Sequence, residues 1–298
     1  MNLKQPTHDL VGDQAPLDGM VRFYNEATRD YRHWSPSFNM HFGYWEPGMN
    51  PFRREPMLEN MTQKVLDRLH LPESRPHRIL DMGCGMGASM RTAARRFPES
   101  RVYGISLVEA QIQQAKSLAK RSGLDQQLKL ICSDFTRSPF PNQTFDGIYA
   151  LESLCHGTSP DKADAIAEAA RLLKPGARFA IADGFLKKAI PDKGPLHWVY
   201  RRTCDHWRLR EFAKIDGFRQ ELQRHGFKDI KIREISCNIA PVAFHIPLVS
   251  MKFLWREWVL PSQQLRPERW SNMLASLLGL PLGMARPYFG YFLVEAKR

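Results

Sequence analysis

The feature that most constrains this chain is a short apolar strand that runs directly into a glycine-dense turn. The segment Arg78–Leu80 leads into Asp81, glycines follow at positions 83, 85 and 87, and an alanine-rich helical segment comes next. Glycine lets a backbone adopt positive φ angles and approach a ligand closely. The helix that follows would point its free N–H groups at that ligand. The turn therefore predicts a binding site at the carboxyl end of the first strand.

Short apolar strands alternate with helical segments through the middle of the chain. Five strands are predicted, at residues 78–80, 101–105, 128–132, 145–150 and 178–182. Strands that alternate with helices form a parallel sheet with helices on both of its faces.

One of these helices has clear end signals. Ser159 is expected to cap it, Pro160 to occupy its first position, and Pro175 with Gly176 to end it.

The last third of the chain is less regular. Residues 218–227 predict a short helix, and residues 228–235 and 289–297 alternate as two further strands, which makes seven. The segment 239–285 between them is too long and apolar for a plain loop. We interpret it as a helical cap over a pocket; the alternative is a helical extension that only thickens the core.

We therefore predict an α/β fold with a doubly wound, mostly parallel, seven-stranded sheet, an N-terminal lid and a helical cap inserted before the last strand. A flexible segment at 1–20 is expected to precede a single domain at 21–298. The expected parts of that domain are the lid with N-terminal helices (21–76), a ligand-binding core (77–183), and a substrate-side half (184–298) that carries the cap.

Composition limits the location and the partners of the chain. Five scattered cysteines without a Cys-x-x-Cys pair argue against structural zinc and disulfides, and they are typical of a cytoplasmic protein. The chain has no uninterrupted run of about 18 apolar residues, so no membrane span is predicted. Residues 1–16 lack the apolar stretch of a signal peptide.

The net charge of +12 is compatible with nucleic acid, an anionic membrane surface, an anionic substrate, or merely a solvated basic surface. No block of more than two Lys or Arg residues and no nucleic-acid motif accompanies the charge, so no nucleic-acid partner is expected.

The glycine spacing also indicates the ligand. The pattern Asp81-x-Gly83-x-Gly85-x-Gly87 differs from the Gly-x-Gly-x-x-Gly of dinucleotide sites. A carboxylate disfavours a pyrophosphate beside it and favours a cationic amino-acid group. The combination resembles the cofactor loop of class I S-adenosylmethionine-dependent methyltransferases, which have a Rossmann-like fold. The resemblance implies that Asp81 faces the methionine end of S-adenosylmethionine and that the glycines flank its sugar and amino acid. A purely structural glycine turn is the alternative.

Further landmarks of the family follow in order. By resemblance, Asp134 would accept a hydrogen bond from the adenine amino group, and Phe135 would offer its backbone N–H. Many members end the second strand with an acidic residue, whereas this chain has Ser106, followed by Leu107 and Gln111. That variant resembles the sterol, tocopherol and terpenoid C-methyltransferase branch, where a hydroxyl and a glutamine serve the ribose region.

The segment "SFNMHFGYWEPG" (37–48) resembles a lid of the same branch that closes over the cofactor. Its aromatic rings would exclude water and face the sulfonium cation. We expect His41, Tyr44 and Trp45, together with Tyr24, to contact the substrate. The alternative is a hydrophobic strip that packs on the core.

Two residues after the fourth strand are the candidate catalytic groups. Glu152 and His156 lie four residues apart, which is one turn if a helix begins there. In the sterol-like branch an acidic residue here would stabilise a carbocation or remove a proton. His156 could instead deprotonate an acceptor, or both residues could have only structural roles.

Arginines cluster at positions 201, 202, 208 and 210. On a helix, Arg201 and Arg208 would share a face, and their guanidinium groups could bind a diphosphate or anionic lipid. A solvated basic face is the alternative.

Together these features predict methyl transfer from S-adenosylmethionine to a small lipophilic acceptor, without a metal site in the protein. C-methylation of a terpenoid, prenyl diphosphate or sterol-like lipid is favoured because the lid and the cap are apolar. O- or N-methylation of an aromatic or alkaloid-type metabolite is the alternative. RNA methylation and a non-catalytic cofactor-binding role remain further alternatives, and the oligomeric state is left open.

Overall fold

The computed structural model describes residues 14–259 and 267–298. Its centre is one seven-stranded sheet with the strand order β3-β2-β1-β4-β5-β7-β6. The strands are β1 (Arg78–Met82), β2 (Arg101–Ser106), β3 (Leu128–Cys132), β4 (Phe145–Leu151), β5 (Leu173–Leu186), β6 (Lys228–Glu234) and β7 (Phe289–Lys297).

The sheet is parallel except at one strand. β1 pairs in parallel with β2 and β4, whereas β7 runs antiparallel between β5 and β6. Strand order reverses at β1, where the crossover connections leave toward opposite edges of the sheet. Ligands of open α/β sheets bind at such a point, beyond the carboxyl ends of the strands. The predicted doubly wound, mostly parallel sheet is confirmed.

Helices cover both faces of the sheet. They are α1 (Gln14–Ala27), α2 (Tyr31–Trp34), α3 (Arg54–Asp67), α4 (Ala88–Arg96), α5 (Glu109–Arg121), α6 (Ala163–Leu172), α7 (Pro195–His206), α8 (Ile215–Arg224), α9 (Ser236–Ala243), α10 (His245–Val259) and α11 (Pro267–Met284). Helices α3, α4 and α5 bury their apolar sides in one core cluster, and α6 and α8 bury theirs in a second. Burial on both faces explains why the central strands are almost continuously apolar.

The cap predicted at 239–285 consists of α9, α10 and α11. Helix α11 packs against α7 and α1, which brings the N-terminal segment and the cap together over the carboxyl edge of the sheet. By length and composition alone, Ser236–Glu257 is long and apolar enough to cross a membrane. The prediction of no membrane span differs because this helix has no uninterrupted apolar run of about 18 residues.

Several predicted boundaries differ from the structure. Part of the segment predicted as a flexible lead is helical, because α1 begins at Gln14; residues 1–13 lie outside the described residues. The helix predicted from Pro160 instead begins at Ala163, after a 3-10 turn in which Asp161 (φ 45°) and Lys162 (φ 63°) have left-handed backbones.

The far end of that helix also differs. Helix α6 ends at Leu172, and β5 begins at Leu173, so Pro175 and Gly176 lie within the strand rather than at the helix end. The strand tolerates this proline because its pairing with β4 shifts register between Leu173 and Arg178, so that Pro175 has no partner on β4.

Candidate active site

Two adjoining cavities lie at the carboxyl edge of the sheet. The smaller, of about 90 Å³, borders the glycine turn after β1, and the larger, of about 190 Å³, lies under the cap. Five residues line both cavities: Tyr24, Met40, His41, Glu152 and His156. A ligand in one cavity can therefore meet a ligand in the other across these side chains.

The glycine turn has backbone angles and close side-chain contacts that only glycine accommodates. Gly83 has a φ of +97°, and a Cβ atom there would lie 2.2 Å from the Cβ of Ser153. Gly85 has a φ of +50°, and a Cβ there would lie 3.0 Å from the sulfur of Met40. Both residues line the smaller cavity. Gly87, with a φ of +68°, precedes α4 and is not among the lining residues.

Asp81 supplies the negative charge of the smaller cavity. Its side chain is buried, and Ser89 donates a hydrogen bond of 2.5 Å from its hydroxyl to Oδ2. Burial raises the pKa of Asp81 to about 7, and the bond from Ser89 opposes that rise. A buried carboxylate without a cationic partner favours binding of a positively charged group. Asp81 and the glycine cradle therefore fit the amino-acid end of S-adenosylmethionine.

The residues that replace the usual acidic group after β2 form a chain of hydrogen bonds. Ser106 donates from its hydroxyl to Oε1 of Gln111 at 3.0 Å, and Gln111 donates from Nε2 to the hydroxyl of Thr28 at 3.1 Å. Ser106, Leu107, Gln111 and Phe135 all line the smaller cavity. The structure thus gathers most of the predicted cofactor residues around one space, and their individual roles remain predictions.

Asp134 is placed differently. Its Oδ1 accepts hydrogen bonds from the backbone N–H of Thr136 at 2.7 Å and from the Thr136 hydroxyl at 2.8 Å. Asp134 is not among the residues that line the smaller cavity, whereas its neighbour Phe135 is. The adenine contact of Asp134 therefore remains a prediction from the resemblance.

The larger cavity is mostly apolar. Its apolar lining comes from the N-terminal segment, the loop after α7, the cap helices and β7: Phe42, Leu209, Phe212, Ile246, Val249, Phe253, Met273, Leu282 and Phe289. Such a lining, with a few convergent polar groups, is typical of pockets for small lipophilic molecules.

Glu152 is the polar group at the junction of the cavities. It has a left-handed backbone (φ 49°), and a 3-10 turn, Leu154–His156, follows instead of the α-helix on which its spacing to His156 was interpreted. Its Oε1 accepts hydrogen bonds from the backbone N–H of Phe42 at 2.5 Å and from the hydroxyl of Tyr291 at 2.6 Å. Burial outweighs these bonds and raises the pKa of Glu152 to about 8. The carboxyl group is thus ready to ionise when a cation comes near.

His156 is a neutral imidazole beside the same junction. Its Nε2 lies 2.8 Å from the hydroxyl of Tyr24, whereas its Nδ1 is buried and has no hydrogen-bond partner among residues 14–259 and 267–298. Burial lowers the pKa of His156 to about 4, and the nearby Lys162 charge acts in the same direction. When the Tyr24 oxygen accepts from Nε2–H, Nδ1 is left as a free base that can accept a proton.

Two charged residues that the sequence did not single out hold this loop. Lys162 is 2% exposed and donates from Nζ to the carbonyls of Cys155 at 3.2 Å, Gly157 at 2.8 Å and Glu211 at 2.9 Å. Asp183, at the end of β5, accepts at Oδ2 from the backbone N–H of Cys155 at 3.0 Å and lines the larger cavity. No spacing signal marks either residue, because these partners are main-chain groups, which every residue type carries.

The predicted aromatic lid is only partly correct. His41 lines both cavities together with Met40, and Phe42 lines the larger one. Tyr44 and Trp45 line neither cavity and pack into or against the core cluster beside α3, as in the alternative of a hydrophobic strip.

The backbone explains the position of these two aromatic residues. The Tyr44 N–H binds the carbonyl of Met57, and the Trp45 N–H binds the carbonyl of Asn238. These bonds draw the chain away from the cavities immediately after His41 and Phe42.

The expectation that Arg201 and Arg208 share a helix face is wrong. Helix α7 ends at His206, and Arg208 has a left-handed backbone with a φ of 57°. Both arginines are exposed, and neither lines the larger cavity.

Comparisons with known proteins agree with this geometry. Residues 79–176 match a family model described as a methyltransferase domain. The chain is 29% identical over 275 residues to the 27-O-demethylrifamycin SV methyltransferase of Amycolatopsis mediterranei (strain S699), covering 87% of this chain and 90% of the relative. It is 35% identical over 158 residues to 24-methylenesterol C-methyltransferase 2 of Oryza sativa subsp. japonica, covering 53% of this chain and 41% of the relative.

The fold also matches a solved structure over most of its length. Geranyl diphosphate C-methyltransferase from Streptomyces coelicolor A3(2) has a TM-score of 0.72 at 17% identity, covering 97% of this chain and 100% of that chain. At this identity the likeness is one of fold.

Replacing Asp81 tests the cofactor end of the site. Because a cation lowers the pKa of a neighbouring carboxyl group, S-adenosylmethionine should release a proton from Asp81 on binding, and its affinity should rise between about pH 6 and 8. Asp81→Asn should weaken binding by about tenfold or more and abolish the proton release. Isothermal titration in buffers of different ionisation enthalpy measures both effects.

The matched control for Asp81 is the exposed Asp125. Asp125→Asn should bind the cofactor like the unmodified protein. Equal affinity and proton release in the Asp81→Asn protein would contradict the assignment.

Replacing Lys162 tests the support of the catalytic loop. Lys162→Met leaves one buried and two partly buried carbonyls without their donor, so the free energy of unfolding should fall by about 2–4 kcal/mol. Lys174→Met, which removes a half-exposed ion pair with Asp146, should cost less than about 1 kcal/mol. Urea denaturation compares the two, and equal losses would show that Lys162 does not hold the loop.

Proposed function

We propose that this chain, a class I S-adenosylmethionine-dependent methyltransferase, transfers the methyl group to a neutral lipophilic small molecule, with C-methylation of a terpenoid or sterol-like lipid as the reaction. The observation that carries the proposal is the junction of a mostly apolar cavity under the cap with the cavity at the glycine turn. The 35% identity to a sterol C-methyltransferase over 158 residues supports the same acceptor class.

S-adenosylmethionine is the cofactor, and it supplies a methyl group already activated on a sulfonium. The protein must then hold the acceptor in line with that methyl group and exclude water. Asp81, the glycine turn, Ser106 and Gln111 are the residues we propose to hold the cofactor, because they surround the smaller cavity. The apolar lining of the larger cavity would orient the acceptor and exclude water from it.

An alkene acceptor becomes a carbocation when its carbon accepts a methyl group. The groups at the junction and beside it suit such a charge. Tyr24 and the carboxyl group of Glu152 line both cavities, and the rings of Phe42 and Tyr291 line the larger one. Aromatic faces attract cations. A cation near Glu152 also lowers its pKa from about 8, so the carboxylate forms where the charge develops. Neutral His156 can then accept the proton that restores a neutral product.

A neutral acceptor fits the larger cavity better than a diphosphate. Among the described residues that line it, only Arg269 has a permanent positive charge. That guanidinium is bound by the carboxylates of Asp30 and Glu257, each with a contact of 2.8 Å. A diphosphate would have to compete with both carboxylates for one arginine, which its own charge disfavours.

O-methylation is a second candidate because of one specific observation. The Nδ1 of His156 is buried without a partner on a residue that lines both cavities, and a hydroxyl group of an acceptor could donate to it. His156 would then act as the general base. The full-length similarity to a rifamycin O-methyltransferase supports this alternative.

A labelled-methyl assay separates the two reactions. The protein is incubated with methyl-labelled S-adenosylmethionine and a panel of neutral terpenoids, sterols, prenyl diphosphates, tocopherol-like phenols and indoles, and products are analysed by mass spectrometry. We expect a neutral terpenoid or sterol to gain one methyl group on carbon. Methylation of prenyl diphosphates alone, or of no lipophilic compound, would contradict the proposal.

Variants then test the mechanism. With an alkene acceptor, Glu152→Gln should lower kcat by about 10²-fold or more, because the cation loses its countercharge. At pH 7, where the carboxyl group of the free protein is mostly protonated, the substitution should weaken cofactor binding much less than Asp81→Asn does. Glu99→Gln, at an exposed site, is the control. If His156→Asn abolishes turnover while Glu152→Gln retains it, base-assisted O-methylation is favoured instead.

A further inference from the structure

Helix α10 has apolar side chains on two opposite faces. On the inner face, Ile246, Val249 and Phe253 line the larger cavity. The outer face carries five large apolar residues that are between 49% and 76% exposed: Phe244, which directly precedes the helix, Leu248, Met251, Trp255 and Val259. We call these five residues the outer row.

The outer row is continuous along the helix. Its members follow one another at intervals of four, three, four and four residues, which places them on one stripe of an α-helix. Phe52, which is 86% exposed, lies near the start of this stripe, because the neighbouring Pro51 carbonyl is 2.8 Å from Nε2 of His245. Continuous exposed apolar surfaces of this kind mark sites of interaction with a membrane or a protein.

The charges beside the outer row are positive. Lys252 and Arg256 of α10 are exposed, and so is Arg53 next to Phe52. The acidic residue of α10, Glu257, is bound by Arg269 at 2.8 Å. A row of large apolar side chains flanked by lysine and arginine is the arrangement of helices that lie in the interface of an anionic lipid bilayer.

The rest of the fold prevents this helix from crossing a bilayer. Although Ser236–Glu257 has the length and composition of a membrane span, Ile246, Ser250 and Phe253 are buried against the protein. The ion pair between Arg269 and Glu257 also attaches α10 to α11. The helix can therefore present only one face to lipid.

We propose that α10 docks the protein on an anionic lipid surface, with the outer row among the lipid headgroups and acyl chains. The same helix then separates the bilayer from the larger cavity, so a lipophilic molecule dissolved in the membrane has a short path to the site. The docking itself does not depend on the proposed reaction, because it requires neither cofactor nor acceptor.

Vesicle sedimentation tests the docking. The full chain is mixed with vesicles of equal parts phosphatidylcholine and phosphatidylserine, or of phosphatidylcholine alone, without cofactor or acceptor. We expect stronger binding to the phosphatidylserine vesicles, and weaker binding at high salt. Met251→Glu should lower the partition coefficient by about tenfold or more, whereas Met284→Glu, at a methionine that is 80% exposed on α11, should not.

A double substitution that removes two positive charges tests the electrostatic contribution to lipid binding. The double substitution Lys252→Gln and Arg256→Gln should reduce binding to phosphatidylserine vesicles several-fold, and the matched pair Lys120→Gln and Arg121→Gln at the end of α5 should have little effect.

Two results would overturn the proposal. One is a failure of the sedimentation test: either the unmodified protein does not sediment with phosphatidylserine vesicles, or the Met251→Glu protein binds them as well as the unmodified protein does. The other is that the unmodified protein is a dimer by light scattering and Met251→Glu is a monomer, because the outer row would then be an interface between copies of the chain. Methyl transfer to a lipophilic acceptor in detergent would be unaffected by either result, which separates this proposal from the proposed function.

Discussion

The rest of the site depends on the two hydrogen bonds that hold the buried carboxyl group of Glu152 at the junction of the cavities. Glu152 joins three distant parts of the chain. It directly follows β4. Its Oε1 accepts one hydrogen bond from the backbone N–H of Phe42, in the N-terminal segment, and another from the hydroxyl of Tyr291, in β7. Burial keeps its pKa near 8, so the charge is costly until a cation arrives. A cofactor that carries a sulfonium, and an acceptor that becomes cationic, both supply such a partner.

The surrounding structure compensates for these buried polar groups. Lys162 satisfies three main-chain carbonyls behind the His156 loop, and Asp183 holds the Cys155 N–H from β5. Both Glu152 and Lys162 have left-handed backbone conformations, which residues other than glycine seldom adopt. Strained backbone at functional positions persists only where packing fixes it. A loop fixed in this way holds Glu152 and His156, the proposed catalytic groups, at constant positions.

Much of the fold could be predicted because its signals are local. The signals of the glycine turn, the alternating strands and the helical cap depend on neighbouring residues, and the structure has all three features. The residues of the site were harder to predict, because their positions depend on the direction the chain takes after each element. Tyr44 and Trp45 follow His41 closely, yet backbone bonds to Met57 and Asn238 carry them into the core. The contribution of Tyr291 arises only from the antiparallel pairing of β7, which no local pattern reveals.

The most direct test of this account is the pKa of Glu152, measured by NMR of the side-chain carboxyl carbon in protein labelled at glutamate, with Glu152→Gln assigning the signal. The account predicts titration near pH 8 in the free protein and a lower pKa once S-adenosylmethionine is bound. A pKa near the ordinary glutamate value of about 4.3, unchanged by the cofactor, would contradict it.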